Sequence, residues 1–120
     1  MARSVVTVTK IDGYNSGNVI TKDAIDVTNN HSVDVSGLSD ERVQVYLDVT
    51  TAPVTFEIKG GDFEDGVLGD LTITSTSVEV NVVELESSRF KDSDGLILID
   101  ASSTGSGAGT IYVSAGVQAK

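Results

Sequence analysis

Apolar and polar residues alternate with a period of two along most of this chain, and turn residues separate the alternating runs. About a third of the residues are Val, Ile or Thr, whose branched Cβ atoms favour a pleated strand and crowd a helix. No segment shows the spacing of three and four residues that is typical of an amphipathic helix. The pattern predicts an all-β fold, a single-domain β-sandwich or jelly-roll-like barrel of about eight to ten short strands.

The first half of the chain contains several predicted strands separated by polar segments. They span residues 4–11, 19–27, 33–35 and 42–49, with a polar loop at 12–18 and a turn at 37–41. The candidate inward residues of the second strand are Ile20, Ile25 and Val27. One face of the fourth strand consists of Val43, Val45, Leu47 and Val49.

Pro53 interrupts the alternation because proline cannot donate to a strand ladder, and the pattern resumes with Val54, Phe56 and Ile58 on one face. The segments before and after Pro53 are therefore predicted to form a hairpin. After this pair of segments, the sequence predicts an ordered loop at 60–69 and then one bent strand or two strands at 71–85. It further predicts a strand at 96–99, a flexible connection at 102–109, a strand at 111–113 and a frayed end at 115–120. The apolar residues of the loop either fold back onto the domain, which we favour, or meet a partner; they are Phe63, Val67 and Leu68.

Size and composition indicate one domain that spans residues 1–120, with termini that we expect to be flexible. Its core must be built mainly from Val, Ile and Leu, because the chain has three Phe, three Tyr, no Trp and no Cys. A chain with so few large aromatic residues has few ways to bury more surface within itself. We therefore expect a homo-oligomer, in which an interface adds burial.

The chain is strongly acidic, with a formal net charge of −10. Such a charge repels phosphate backbones and anionic membrane surfaces, so we expect neither nucleic acid nor a membrane as a partner. Met1 to Ser4 lead directly into the alternating pattern at Val5, without the apolar region of a signal peptide. Together with the absence of cysteine, this favours synthesis in a reducing cytoplasm.

Two acidic segments are candidate cation sites. Asp92-Ser93-Asp94-Gly95 has oxygen ligands at alternating positions before a glycine, but the further ligands and flanking helices of a calcium loop are missing. We favour a turn closed by a local hydrogen bond from an aspartate side chain. The same question applies to the loop carboxylates of Asp62, Asp65 and Asp70, which we expect to be solvated.

No arrangement of residues indicates catalysis, so we expect a protein that is not an enzyme, with no catalytic residue, cofactor or metal site assigned. Carboxylate pairs are abundant and therefore nonspecific as a sign of glycoside hydrolysis. His31 is the only histidine, and its position in a turn that enters a strand suggests a solvated or locally hydrogen-bonded side chain. The glycine-rich segment at 105–109 lacks the lysine and helix of a phosphate-binding loop.

Three short segments resemble, in their order, those of a known family. They are Gly69-Asp70-Leu71-Thr72, Leu85-Glu86-Ser87-Ser88-Arg89-Phe90, and Asp92-Ser93-Asp94-Gly95 followed by an alternating apolar strand. The chain thereby resembles the small all-β head decoration proteins of tailed bacteriophages, also called cement or capsid-stabilising proteins, which are often encoded beside the major capsid protein. The resemblance covers mainly residues 43–113.

The resemblance implies that the chain decorates the outer surface of a phage capsid and stabilises the head by bridging neighbouring major capsid subunits. It further implies a homotrimer, made in the host cytoplasm and located on the virion. Two alternatives stay open: another virion component, such as a neck or tail protein, and a β-sandwich module that binds carbohydrate or a cation. Arg89, beside an inward Phe90, is expected to pair with Glu86 or an aspartate and to hold the turn at Asp92, a structural role that we favour over direct contact with a capsid.

Overall fold

Ten strands and one helical turn form the regular structure of residues 3–11, 19–36, 38–61, 68–85 and 87–117, which are the residues that the computed structural model describes. The strands are β1 (Ser4–Val6), β2 (Val8–Ile11), β3 (Asp23–Ala24), β4 (His31–Asp34), β5 (Leu38–Thr51), β6 (Val54–Ile58), β7 (Leu71–Ser75), β8 (Glu79–Leu85), β9 (Leu96–Ser102) and β10 (Ala108–Val117). The helical turn α1 (Ser87–Phe90) lies between β8 and β9. Within the described ranges, no helix is long and apolar enough to cross a membrane.

The strands form two mixed sheets. The first sheet has the order β1-β4-β9-β6-β7, and the second has the order β2-β10-β5-β8, with β3 also paired to β10. Two pairs, β1 with β4 and β2 with β10, are parallel, and the other pairs are antiparallel. The predicted all-β sandwich is confirmed, with two separate sheets rather than a closed barrel.

The core lies between the inner faces of the two sheets. The predicted inward face of β5 is confirmed, since Val43, Val45, Leu47 and Val49 are completely buried. The predicted alternation in β6 is also confirmed, since Val54, Phe56 and Ile58 are buried while the residues between them are half-buried. The middle strands β9 and β10 complete the core with Ile97, Ile99, Ile111 and Val113.

The first predicted strand is divided between the two sheets. Ser4 lies opposite His31 in the first sheet, whereas Val8 lies opposite Val113 in the second. The chain changes sheets at Thr7, whose backbone N–H donates to a carboxylate oxygen of Asp23 at 2.9 Å. The alternating pattern did not reveal this division, because every second residue points into the core whether the strand stays in one sheet or passes to the other.

The second predicted strand is mostly absent. Only Asp23–Ala24 pairs with β10 there, and Val27, which was predicted to point inward, is 43% exposed. Ile25 does pack against the core. At the end of this segment, the Asp26 carboxylate accepts the N–H groups of the residues two and three positions later, and this turn takes Val27 away from the sheet.

The predicted hairpin at Pro53 is wrong. β5 belongs to the second sheet and β6 to the first, so the chain crosses between sheets at Pro53. β5 also begins at Leu38, within the segment that was predicted to be a turn. The segment at 71–85 likewise forms two strands in different sheets, β7 and β8. Turn residues mark where a strand ends, but they do not show whether the next strand lies beside it or across the core.

The last two strands are longer than predicted. β10 continues to Val117, and the side chain of Ala115 is buried opposite Val43, so the predicted frayed end is wrong for 115–117. The connection before β10 was predicted to be flexible, yet the Ser103 hydroxyl accepts the N–H groups of Gly105 and Gly107. Residues 12–18, 62–67 and 118–120 lie outside the described residues, so the predictions for them, including the positions of Phe63 and Val67, stay predictions.

Candidate functional site

The turn at Asp92 has the predicted local hydrogen bonding. The Asp92 carboxylate accepts the N–H of Asp94 at 2.9 Å and the N–H of Leu96 at 3.0 Å. Gly95 has a φ of 82°, in the left-handed region that favours glycine. The prediction of a turn at this site is confirmed, and one carboxylate oxygen of Asp92 is occupied by hydrogen bonds from the backbone of the same turn.

Asp70 is exposed, as predicted, but its carboxylate is also paired within the chain. Its Oδ1 accepts the N–H of Gly60 at 2.7 Å, and its Oδ2 lies 3.2 Å from the Lys59 ammonium group. The hydrogen bond from Gly60 and the contact with Lys59 lower the pKa of Asp70. Among the described residues, no three or more acidic or histidine side chains are grouped to hold a metal ion. Asp62 and Asp65 lie outside the described residues.

Two of the segments on which the resemblance rests, residues 69–72 and 85–90, contact each other. The Arg89 guanidinium donates to the carbonyl oxygen of Gly69 at 3.3 Å and lies 4.7 Å from the ring centroid of Phe90. The Arg89 carbonyl accepts the N–H of Gly61 at 2.8 Å. Phe90 is buried, as predicted. Arg89 was predicted to pair with Glu86 or an aspartate, but its hydrogen-bond partner here is a backbone carbonyl group. Glu86 lies outside the described residues. These contacts favour a structural role for the segments.

His31 is buried, contrary to the prediction of a solvated side chain, but it is hydrogen-bonded locally as the alternative prediction stated. Its Nε2 accepts the N–H of Asp26 at 2.9 Å, and its Nδ1 is buried without a hydrogen-bond partner. Burial is the main cause that lowers the pKa of His31. The Ser4 hydroxyl and nearby backbone N–H groups lower the pKa of Asp26 to about 2. Nε2 is therefore committed to the fold and is not free to serve as a general base.

The outer face of the first sheet carries paired charges. Arg3 donates to Asp100 at 2.6 Å, and the Lys59 ammonium group lies 2.5 Å from Glu57 and 3.9 Å from Asp100. The hydrogen bonds from Lys59 to Glu57 and Asp70 raise the pKa of Lys59. Oppositely charged groups thus satisfy one another on this face.

The outer face of the second sheet is different, because its centre is aromatic and aliphatic. Tyr46 and Tyr112 are register partners on β5 and β10, and their rings stack with centroids 4.9 Å apart and planes 7° apart. Val82 lies opposite Tyr46 on the other side, and the Lys22 ammonium group lies 5.0 Å from the ring centroid of Tyr112. Burial raises the pKa of Tyr112, and the nearby Asp48 carboxylate adds to this. We call Tyr112, Tyr46 and Val82 the tyrosine–valine row.

The row ends at an exposed valine edge, which we define as Val78, Val80 and Val82. β8 is the last strand of the second sheet, and Val78 directly precedes it. The exposed fractions of the three residues are 71%, 50% and 56%. By contrast, the outward residues of β7, the neighbouring edge of the first sheet, are Thr72 and Thr74. Contiguous exposed apolar side chains of this kind are typical of an interaction surface.

The sequence predicted strand structure at 71–85, where Val78, Val80 and Val82 alternate with other residues, but it did not predict the exposure of these valines. Alternating valines usually indicate an inward face, and here the inward residues are those of opposite parity, Val83 and Leu85. The adjacent pair Val82-Val83 was the available signal, since it shows that both faces of this strand are apolar.

No protein-family model matches the chain, and no curated protein or solved structure is significantly similar to it. Among the described residues, the valine edge and the tyrosine–valine row are the candidate site with the clearest physical consequence: they form an exposed apolar surface of the kind that is typical of contact with another molecule.

Proposed function

We propose that this chain is a non-enzymatic structural protein of a phage virion, which decorates the outer surface of the capsid and stabilises the head by bridging neighbouring major capsid subunits. The observation that carries the proposal is the valine edge with its adjoining tyrosine–valine row, an apolar surface on a strongly acidic chain whose first sheet carries paired charges on its outer face. The resemblance of residues 69–72, 85–90 and 92–95 to head decoration proteins supplies the biological setting.

The size of the apolar surface fits a partner that is held at many points. Each of the three edge valines still exposes half or more of its side chain, and burying that remainder contributes about 1 kcal/mol per valine. Association costs at least about 4 kcal/mol in lost translational and rotational freedom. One such surface therefore gives weak binding, whereas an oligomer that contacts several capsid subunits at once binds by avidity.

The charge of the chain fits an external position. At a formal net charge of −10, it would be repelled by packaged DNA, and the same charge keeps the free protein soluble before assembly. A homotrimer at three-fold or quasi-three-fold positions would offer three such surfaces to the lattice, and we include this oligomer in the proposal.

The test combines the solution mass of the purified chain with co-sedimentation on phage heads that lack it. The double variant Val80→Thr, Val82→Thr keeps β-branched residues but removes apolar surface, and Val5→Thr is the matched control because Val5 is 70% exposed on edge strand β1 of the other sheet. We expect an oligomer that binds heads at saturable stoichiometry, with at least tenfold weaker binding by the double variant and unchanged binding by the control.

A monomer that stays in the supernatant would contradict the proposal. Binding to isolated tails or necks in place of heads would favour the alternative virion location. A rise in Tm with calcium ions or with glycans would favour the binding module, because a ligand that binds only the folded chain stabilises it.

A further inference from the structure

We propose, on the basis of the attachment role above, that β8 accepts an additional strand. The partner is an extended segment with aliphatic side chains at alternating positions and with Lys or Arg at both ends. Its backbone would pair with the free side of β8, and its aliphatic side chains would cover the valine edge.

β8 is the most extensive open edge of the described sandwich. It has seven residues, compared with three in β1, four in β2, two in β3 and five in β7, the other edge strands. Alternate residues of an edge strand direct their N–H and C=O groups away from the sheet. No other strand in the described ranges pairs with that side of β8.

β8 also lacks several of the features that usually protect an edge, and its charged residues are Glu79 and Glu84. Lys, Pro and bulges are common on exposed edges because they prevent pairing with another chain. The segment from Thr76 to Leu85 contains no Lys, Arg or Pro. Its pairing with β5 runs in unbroken register from Val43 opposite Leu85 to Val49 opposite Glu79. The edge is therefore regular along its whole length.

The edge is fixed in place from the inner side. Asn81 donates to the hydroxyl of Ser75, the last residue of β7, at 2.5 Å and so joins the edges of the two sheets. The same amide also donates to Glu79 at 3.3 Å. An incoming strand would meet an edge that is already ordered, which reduces the entropy lost on binding.

The charges around the valine edge determine the kind of partner. Glu79 is the first residue of β8 and Glu84 is the second to last, and Asp48 lies opposite Val80 on β5. A second copy of the chain would bring its own two glutamates against these groups and would add another formal net charge of −10. A segment with cationic ends instead places opposite charges beside them and is favoured over a second copy.

The test uses two synthetic heptapeptides as probes of the full chain. One is acetyl-Lys-Val-Thr-Val-Thr-Val-Lys-amide, and the other has Glu in place of both Lys residues. Amide shifts and hydrogen exchange are followed by NMR. With the lysine peptide, we expect the largest shifts within Glu79–Leu85 and at least tenfold slower exchange at alternate amides of that strand. The glutamate peptide should bind at least tenfold more weakly.

Two sets of variants separate the apolar and the charged contributions. Val80→Thr with Val82→Thr should weaken binding of the lysine peptide severalfold, whereas Val5→Thr should not change it. Glu79→Gln with Glu84→Gln should weaken it and reduce its salt dependence. Shifts centred on β7 or β1, or equal binding of both peptides, would overturn the proposal.

Failure of this inference can be distinguished from failure of the proposed function. If heads bind the chain through the valine edge but neither peptide protects β8, strand addition is wrong and the attachment role stands. If the lysine peptide protects β8 but heads do not bind the chain, the attachment role is wrong. A dimer that the valine substitutions abolish would show that the occupant is a second copy and would overturn the choice of a cationic partner.

Discussion

The stability of this protein should fall between pH 7 and pH 5 because His31 must stay neutral in the folded state. Its Nε2 accepts the Asp26 N–H at 2.9 Å, so a proton at that atom would remove the hydrogen bond and place two donors against each other. Its buried Nδ1 has no hydrogen-bond partner. Ile99 lies opposite His31 on β9, and the charged groups near it are Asp23, Asp26 and Arg3. Burial dominates these influences and lowers the pKa of His31.

The sign follows from proton uptake by the two states. The folded pKa of His31 lies below the value of 6.5 expected of the unfolded chain, so the unfolded state binds the proton first as the pH falls. The His31 contribution is therefore fully present above pH 6.5 and is lost toward the lower folded pKa. If folded His31 takes up no proton, the free energy of unfolding falls by at most about 2 kcal/mol from pH 7 to pH 5, with a slope of no more than about 1.4 kcal/mol per pH unit.

The assay is urea unfolding at half-unit pH intervals for the wild type and for His31→Gln, whose amide oxygen can accept the same N–H. The variant should be less stable at pH 7, but its stability should change less between pH 7 and pH 5. The difference between the two slopes isolates the histidine from carboxylates that titrate in both proteins. Equal slopes would refute the reasoning. The contribution of Asp26, whose pKa is about 2, is fully present over this pH range, because it is lost only as the pH falls below the ordinary value of 3.8.

Three further substitutions and one control test the packing by urea unfolding. Gly61→Ala should destabilise the fold by about 2 kcal/mol, because a Cβ there would lie 2.1 Å from a backbone oxygen. In the control Gly105→Ala, the nearest atom to the new Cβ is 3.9 Å away, so the free energy of unfolding should change by less than about 0.5 kcal/mol. Equal effects of the two substitutions would contradict this account. Asn81→Ala should cost about 1–2 kcal/mol by leaving the buried Ser75 hydroxyl without this donor, and a neutral result would show that the bond is dispensable. Phe56→Ala should cost about 3–5 kcal/mol because the ring is completely buried, and a loss below about 1 kcal/mol would contradict the assigned core.

The sequence predicted strands and their inner faces well where a strand stays in one sheet. Val43 to Val49 alternate with polar residues, and period-two alternation directly reflects which side of a sheet is buried. The sheet to which each strand belongs was not predictable in the same way. Thr7 and Pro53 both mark changes of sheet, and the residues on either side of them still point inward, so the pattern is the same as it would be for a continuous strand or a hairpin.

The candidate surface was partly visible in the sequence. The alternation of Val78, Val80 and Val82 can be read from the sequence, but their exposure depends on β8 being an edge and on Val83 and Leu85 taking the inner face. The tyrosine stack depends on the register between Tyr46 and Tyr112, which are far apart in sequence. Such long-range pairings depend on which strands become neighbours, and local patterns carry little information about that choice.

The most direct test of the central claim is amide hydrogen exchange of the chain bound to phage heads, compared with the free chain. If the protein attaches through the valine edge, amides within Glu79–Leu85 should exchange at least tenfold more slowly on the head, while those of β1 at the opposite edge of the sandwich should change little. Unchanged exchange in β8, together with new protection elsewhere on the chain, would contradict the account.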